Sequence, residues 1–237
     1  MIFNTLLMDI DDTLFDFRKS SFEALQKTFQ EVLSRSFSEE DMTRYEVFNN
    51  RMWQAFERGE IRKEDIYEER FRLYFASAGI DGSAAEVNRR YLHHLALGRN
   101  FMPHCQQCLQ ILHDRGVKVY IVTNGDTFAQ NKRIERCGFS HLFDGVFISE
   151  QLHSKKPEKE YFDKVFSLIG EDRRSASLLV GDSLSSDMQG GRNAGIPTCL
   201  YTSNFAPDER CDYVIRDLLE LPLLLDCPEN YRFIPEP

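Results

Sequence analysis

Short apolar runs alternating with helical segments constrain this chain more than any other feature. From Pro103 onward, Val117–Thr123, Gly145–Ser149, Ser177–Gly181 and Pro197–Tyr201 read as short strands. Between them, Pro103–Gly116, Thr127–Cys137, Glu158–Ile169 and Ser185–Ala194 read as helices, with Gly138 and Gly195 as stops. A parallel sheet with helices on both faces accommodates such alternation. The mostly apolar stretch Ile2–Met8 stands apart at the start, and a strand over 5–9 belongs to the same sheet. The expected fold is α/β, a Rossmann-like doubly wound parallel sheet.

The stretch between that first strand and the alternation carries no strand signal. Ser20–Leu33 has apolar residues at helical spacing, and Ser38 with Asp41 forms a capping box that opens a run through Phe56. Lys63–Ala78 follows, closed by Gly79, and Ser83 with Glu86 opens a run to Leu97. Residues 16–100 are thus an all-helical insertion, leaving 1–15 and 101–237 as the α/β core. The segment 228–237 is expected to trail over the surface.

Composition removes several classes of function. A net charge of -9 disfavours a nucleic-acid polymer as partner, which needs a basic face. No apolar run reaches about 18 residues, so no membrane span is expected, and the N-terminus has no signal-peptide pattern. Six scattered cysteines then point to free thiols in a reducing, cytoplasmic setting. Cys105 and Cys108 form a C-x-x-C beside His104, but no second pair completes a zinc site, so they read as small apolar residues on a helix. The oligomeric state is not legible.

In open parallel sheets ligands bind at the carboxyl ends of the strands, and here those ends are polar. The first strand ends in Asp9-Ile10-Asp11-Asp12-Thr13, the next in Thr123-Asn124-Gly125; Lys156-Pro157 follows the third, and Asp182-Ser183 with Asp187 the fourth. Crowded carboxylates repel one another and are tolerated around a hard cation such as Mg²⁺. Each group also has a plain reading: Asp12-Thr13 or Thr123 as helix caps, Lys156 as a solvated loop lysine, Gly181-Asp182-Ser183 as a turn. Together they supply a nucleophile, an acid/base, hydroxyl and amide donors, a fixed cation and a metal carboxylate. That is the set needed to transfer a phosphoryl group to a carboxylate.

With DIDDT at 9–13, TNG at 123–125, KKP at 155–157 and GDSLSSD at 181–187, the whole chain resembles the haloacid dehalogenase superfamily, and the insertion resembles its helical cap. The resemblance implies Asp9 as the nucleophile that becomes an aspartyl phosphate, and Asp11 as the acid that protonates the leaving alcohol and then activates water. It implies that Thr123 and Asn124 hold phosphate oxygens and that Lys156 offsets charge. It implies Mg²⁺ bound by Asp9, the Asp11 carbonyl and Asp182, with Asp187 reaching the metal through water or orienting Lys156. The acid at Asp11 favours phosphate esters over halides, because a halide leaves without a proton.

A finer similarity, in LLMDIDDTLFDF, NNRMWQAFERGEI and VGDSLSSDMQGGRNAGIPTC, is to the YjjG-like pyrimidine 5'-nucleotidases. It implies a nucleoside 5'-monophosphate as substrate, with Phe15, Asn49 and Trp53 as candidate contacts. Phe48, Trp53 and Phe56 also lie at near-helical spacing, and an aromatic stripe of that kind is more often cap core than a ligand contact. Another small phosphorylated metabolite, a sugar phosphate or phosphoglycolate, is the alternative substrate. A phospho-acceptor or binding domain is the non-enzymatic alternative, disfavoured by Asp11 and by the insertion. His104 and His153 stand where related chains carry a small residue or Gly, and Glu158 where Asp is frequent; surface loop positions are expected for both histidines.

Overall fold

The structure, a computed structural model, describes residues 2–202 and 211–233. They form two compact units, one of 2–16, 101–127, 137–202 and 211–233, the other of 17–100 with 128–136.

The first unit is built on six parallel strands: Thr5–Met8 (β1), Lys118–Thr123 (β2), Gly145–Ile148 (β3), Ser177–Gly181 (β4), Thr198–Tyr201 (β5) and Tyr213–Ile215 (β6), in the order β3-β2-β1-β4-β5-β6. The fold is thus the expected α/β doubly wound sheet. The order reverses at β1, where Met8 lies opposite both Ile121 and Val180. A crevice opens at the carboxyl end of such a switch point. Every residue of β1 is buried, Thr5 with its hydroxyl on Asn4 and Leu6–Met8 as the apolar run that the centre of a parallel sheet requires. Strand β6 was not expected: three residues carry no readable period, and it adds to the sheet edge through pairing with β5 alone. The chain after it does not simply trail. Arg232 bridges antiparallel to Tyr213 and the Phe233 amide donates to the Asp212 carbonyl, so 228–233 docks on that edge; 234–237 lie outside the described residues.

Helices α5 (Cys105–Asp114), α8 (Lys159–Ile169), α9 (Gln189–Ala194) and α10 (Glu220–Asp226) belong to this unit, together with the single turn α7 (Ser149–Leu152). Helix α5 starts two residues after Pro103, with His104 as its N-cap in left-handed backbone. Its buried face is Cys105, Cys108, Leu109 and Leu112. Helix α8 lays Tyr161, Phe162, Val165 and Phe166 against Leu7, Val122 and Leu179 of the sheet.

The second unit holds α1 (Phe17–Leu33), α2 (Glu39–Glu57), α3 (Lys63–Ala78) and α4 (Ala84–Ala96). Ser38 Oγ accepts from the Asp41 amide at 3.2 Å and Asp41 Oδ2 accepts from the Ser38 amide at 2.9 Å, the reciprocal cap expected for α2. At α4 the Ser83 hydroxyl accepts from the Glu86 amide. The core is aromatic, with Tyr45 stacked on Phe71 at 5.2 Å and Phe29, Phe37, Tyr74 and Phe75 around them. Helix α6 (Thr127–Arg136) contributes all but its first residue to this unit: Ala129 packs in the core and the Arg133 guanidinium lies over the Phe17 ring. Among the described residues no helix is long and apolar enough to cross a membrane.

Candidate active site

The central strands deliver three polar groups to one end of the sheet. The Asp9 amide donates to the Val180 carbonyl at 2.9 Å, so pairing continues one residue past β1 and fixes the Asp9 backbone. Asp12 then turns the chain in left-handed backbone (φ 57°), and the Leu14 and Phe15 amides both return to the Ile10 carbonyl. Asp11, half-buried, sits inside this turn.

Lys156 is the hub. The residue is 1% exposed, and its Nζ donates to Asp9 Oδ1 at 2.5 Å, to Asp187 Oδ1 at 2.6 Å and to the Val122 carbonyl at 3.0 Å. All three ammonium hydrogens are therefore used inside the protein. The loop that carries Lys156 is clamped by Asn124, whose amide nitrogen donates to the Lys156 carbonyl (2.9 Å) and whose oxygen accepts the Lys156 amide (3.0 Å). Thr123 Oγ1 accepts the Gly125 amide at 3.0 Å, which closes the turn after β2.

The fourth group arrives through an irregular helix start. The expected helix from Ser185 begins instead with a π-helical turn over Leu184–Met188, in which both the Asp187 and the Met188 amides donate to the Ser183 carbonyl. The wider turn swings Asp187 back so that its Oδ2 accepts the Ser183 amide at 3.2 Å. A Cβ on Gly181 would lie 2.3 Å from the Asp187 carboxyl group, so only glycine leaves room there. Asp182 accepts the Thr13 hydroxyl at 3.2 Å, tying β4 to the turn after β1.

Carboxylate oxygens of Asp9, Asp182 and Asp187 all come within 4.8 Å of one another. Burial, with Asp187 and Asp11 nearby, pushes the Asp9 carboxyl up from 3.8 to about 8 although Lys156 works against this. Burial likewise raises Asp182 well above the usual carboxylate range, with Asp9 and Asp187 adding to it. Burial alone would lower the Lys156 ammonium, but Asp187 and Asp9 outweigh it and push it up. Three carboxylates around one ammonium leave an excess of negative charge that protons satisfy only in part. Oxygen donors with that excess fit a hard divalent cation.

Asp9, Lys156, Asp182 and Asp187 thus come together, with Thr123 and Asn124 joined to them through Val122 and the Lys156 backbone. Phe15 is 1% exposed and packs edge-on to Phe101 (5.1 Å) and Phe139 (6.3 Å) within the first unit. Asn49 and Trp53 belong to the second unit. The Asn49 oxygen accepts from Tyr45 and Arg70, and half-buried Trp53 packs on Met52, Phe56 and Ile66. His104 and His153 are exposed and both in left-handed backbone (φ 60° and 49°), the conformation glycine takes most easily. His104 Nδ1 pairs with Asp217 at 2.7 Å. Cys105 and Cys108 are free and buried, and burial pushes the Cys108 thiol up to about 12. Thr13 and Tyr161 are the site-supporting residues that motif reading passed over; Thr13 stood within the quoted DIDDT, and Tyr161 was hidden by the apolar period of its helix.

The sequence model of the haloacid dehalogenase-like hydrolases matches residues 6–201. Among curated proteins, HAD-hydrolase YfnB of Bacillus subtilis is 31% identical over 92% of this chain and 94% of its own length. Pyrimidine 5'-nucleotidase PynA of Streptococcus pneumoniae is 30% identical (96% and 95%), and pyrimidine 5'-nucleotidase YjjG of Escherichia coli 32% identical (84% and 86%). A crystal structure of the Bacillus protein, described as bound to magnesium, superposes with a TM-score of 0.88 over 94% of this chain and 99% of that one.

Proposed function

This chain belongs to the haloacid dehalogenase-like hydrolases, and on that premise we propose that it is a Mg²⁺-dependent phosphomonoester hydrolase acting on nucleoside 5'-monophosphates. The observation that carries the reaction class is Lys156, buried between Asp9 and Asp187 at a strand end where Asp182 adds a third carboxylate. Asp9, Asp182 and the Asp11 carbonyl would hold Mg²⁺, which when bound offsets charge on the phosphoryl oxygens. Asp187, at 2.6 Å from Lys156 Nζ, is read as the residue that orients it.

In the first step an Asp9 carboxylate oxygen attacks phosphorus. An O–P bond forms on Asp9 as the ester P–O bond breaks, and the Asp11 carboxyl gives its proton to the departing alkoxide. In the second, Asp11, now a carboxylate, takes a proton from water, whose oxygen attacks phosphorus. The Asp9 O–P bond breaks and inorganic phosphate leaves. Lys156, its ammonium held by Asp9, Asp187 and the Val122 carbonyl, offsets charge on the nucleophile, while Thr123 and the Asn124 backbone amide would hold phosphoryl oxygens; such reactions demand mainly positioning and charge neutralisation.

These groups handle the phosphoryl moiety alone, so selection among esters is assigned to the helical unit. The names of PynA and YjjG, each similar over most of both chains, support a nucleotide. Six thiols, none in a disulfide, fit a cytoplasmic enzyme. The test is hydrolysis by the purified chain of nucleoside 5'-monophosphates, sugar phosphates and phosphoglycolate, in Mg²⁺ and in EDTA. Nucleotides are expected to turn over best and only with the metal. No turnover of any ester would sink the reaction class, and preference for a sugar phosphate or phosphoglycolate would sink the substrate assignment.

A further inference from the structure

The peptide unit between Val122 and Thr123 is held from both sides by one short segment. Its carbonyl accepts Lys156 Nζ at 3.0 Å, and its N–H donates to the Tyr161 hydroxyl at 3.1 Å. That hydroxyl in turn donates to the Phe147 carbonyl at 2.7 Å. Thr123 lies opposite Ile148 in a parallel ladder, a register in which its N–H points towards the Phe147 carbonyl. The phenol therefore touches both strands where the ladder ends, accepting from β2 and donating to β3. Its ring has no freedom to leave. Tyr161 is fully buried, edge-on to Phe162 at 5.3 Å, within the cluster of Val122, Val165, Phe166 and Leu179.

A phenylalanine would fill the same core volume, so packing does not explain the hydroxyl. Without it, the Thr123 N–H loses that acceptor and the Phe147 carbonyl that donor, which loosens the end of β2. Thr123 and Asn124 then shift relative to Lys156 and Asp9. We propose that Tyr161 is a positioning residue. Its hydroxyl sets the end of β2 so that Thr123 and Asn124 face the phosphoryl group. In its catalytic consequence the inference rests on the phosphatase reading above; in its structural content it does not.

The experiment compares wild type, Tyr161→Phe and Val165→Ala, a cavity control on the same helix in the same cluster. Three quantities are read: exchange of the Thr123 amide by NMR, melting temperature, and kcat and KM for p-nitrophenyl phosphate with Mg²⁺. Tyr161→Phe is expected to speed Thr123 exchange about tenfold or more. It should lower kcat about tenfold with a smaller change in KM, since misplacement of phosphoryl-binding groups is felt most in the transition state. Val165→Ala should leave both quantities within about twofold of wild type, even at an equal loss of melting temperature. Unchanged Thr123 exchange in Tyr161→Phe, or a kcat loss matched by Val165→Ala, overturns the proposal. So does a wild-type Thr123 amide that exchanges like one open to solvent, a result that needs no variant. If wild type hydrolyses no ester, the phosphatase reading fails, and Thr123 exchange alone decides the role of Tyr161.

Discussion

Replacing Lys156 by Met removes one ammonium and keeps most of the side chain's reach. In the native protein Nζ lies 2.5 Å from Asp9 and 2.6 Å from Asp187, with Lys156 and Asp187 almost wholly shielded from water. The substitution leaves two carboxylates buried without their cation. Removing one partner of a buried ion pair costs about 3–5 kcal/mol, and in a chain of this size each kcal/mol is worth roughly 2–4 °C of melting temperature. The expected fall is about 6–20 °C near pH 8 in EDTA. Its pH dependence has a definite sign. Burial already pushes Asp9 from 3.8 to about 8, and losing the ammonium moves it further up. A carboxyl raised in the folded state binds more protons there than in the unfolded chain. Its stabilisation is complete below the ordinary value and is lost as pH rises through the folded one. The deficit of Lys156→Met should therefore shrink near about pH 5 and widen towards about pH 8. Magnesium should raise the variant's own stability over that in EDTA, by about 2.7 kcal/mol at a hundredfold excess over Kd. Thermal melts of both proteins across this pH range, with EDTA and with Mg²⁺, supply the measurement. A variant that melts within about 2 °C of wild type near pH 8, or whose deficit grows on acidification, refutes the reasoning.

Three further outcomes follow from the proposed mechanism, from the packing at Gly181 and from the proposed role of the helical unit. Asp9→Asn should lower kcat at least about a thousandfold, roughly 4 kcal/mol of barrier, while Asp11→Asn, which keeps its carbonyl, should lower it about a hundredfold and still bind Mg²⁺ by calorimetry. Loss of metal binding in Asp11→Asn equal to that in Asp182→Asn would contradict this division. Gly181→Ala drives a methyl group into the Asp187 carboxyl and should cost about 1–3 kcal/mol in denaturant titration along with most of the activity; an active variant of native stability would show that Asp187 has room to move. Trp53→Ala should raise KM for a nucleoside monophosphate about tenfold, a stacking-sized loss, and leave p-nitrophenyl phosphate turnover unchanged. A lower melting point with equal losses on both substrates would make Trp53 part of the Met52–Phe56–Ile66 packing alone.

Periodicity located the four helices of the insertion and five of the six strands, because those signals are local: each is written in the spacing of a few consecutive residues. The same local code placed Asp9, Thr123, Lys156 and Asp182 at strand ends, and strand ends of a parallel sheet converge. Local patterning carries no record of strand order, so the position of β1 between β2 and β4 came only with the fold. Nor does it record how a turn closes. Asp187 reaches Lys156 because a π-helical turn and a missing Cβ at Gly181 make space for it, and both are properties of backbone packing. Tyr161 marks the boundary between the two kinds of information. Its place in the apolar stripe of α8 is legible from the sequence. That its one polar atom falls between Thr123 and Phe147 is decided by how that helix lies on the sheet, since a hydrogen bond depends on three-dimensional register that no single segment contains.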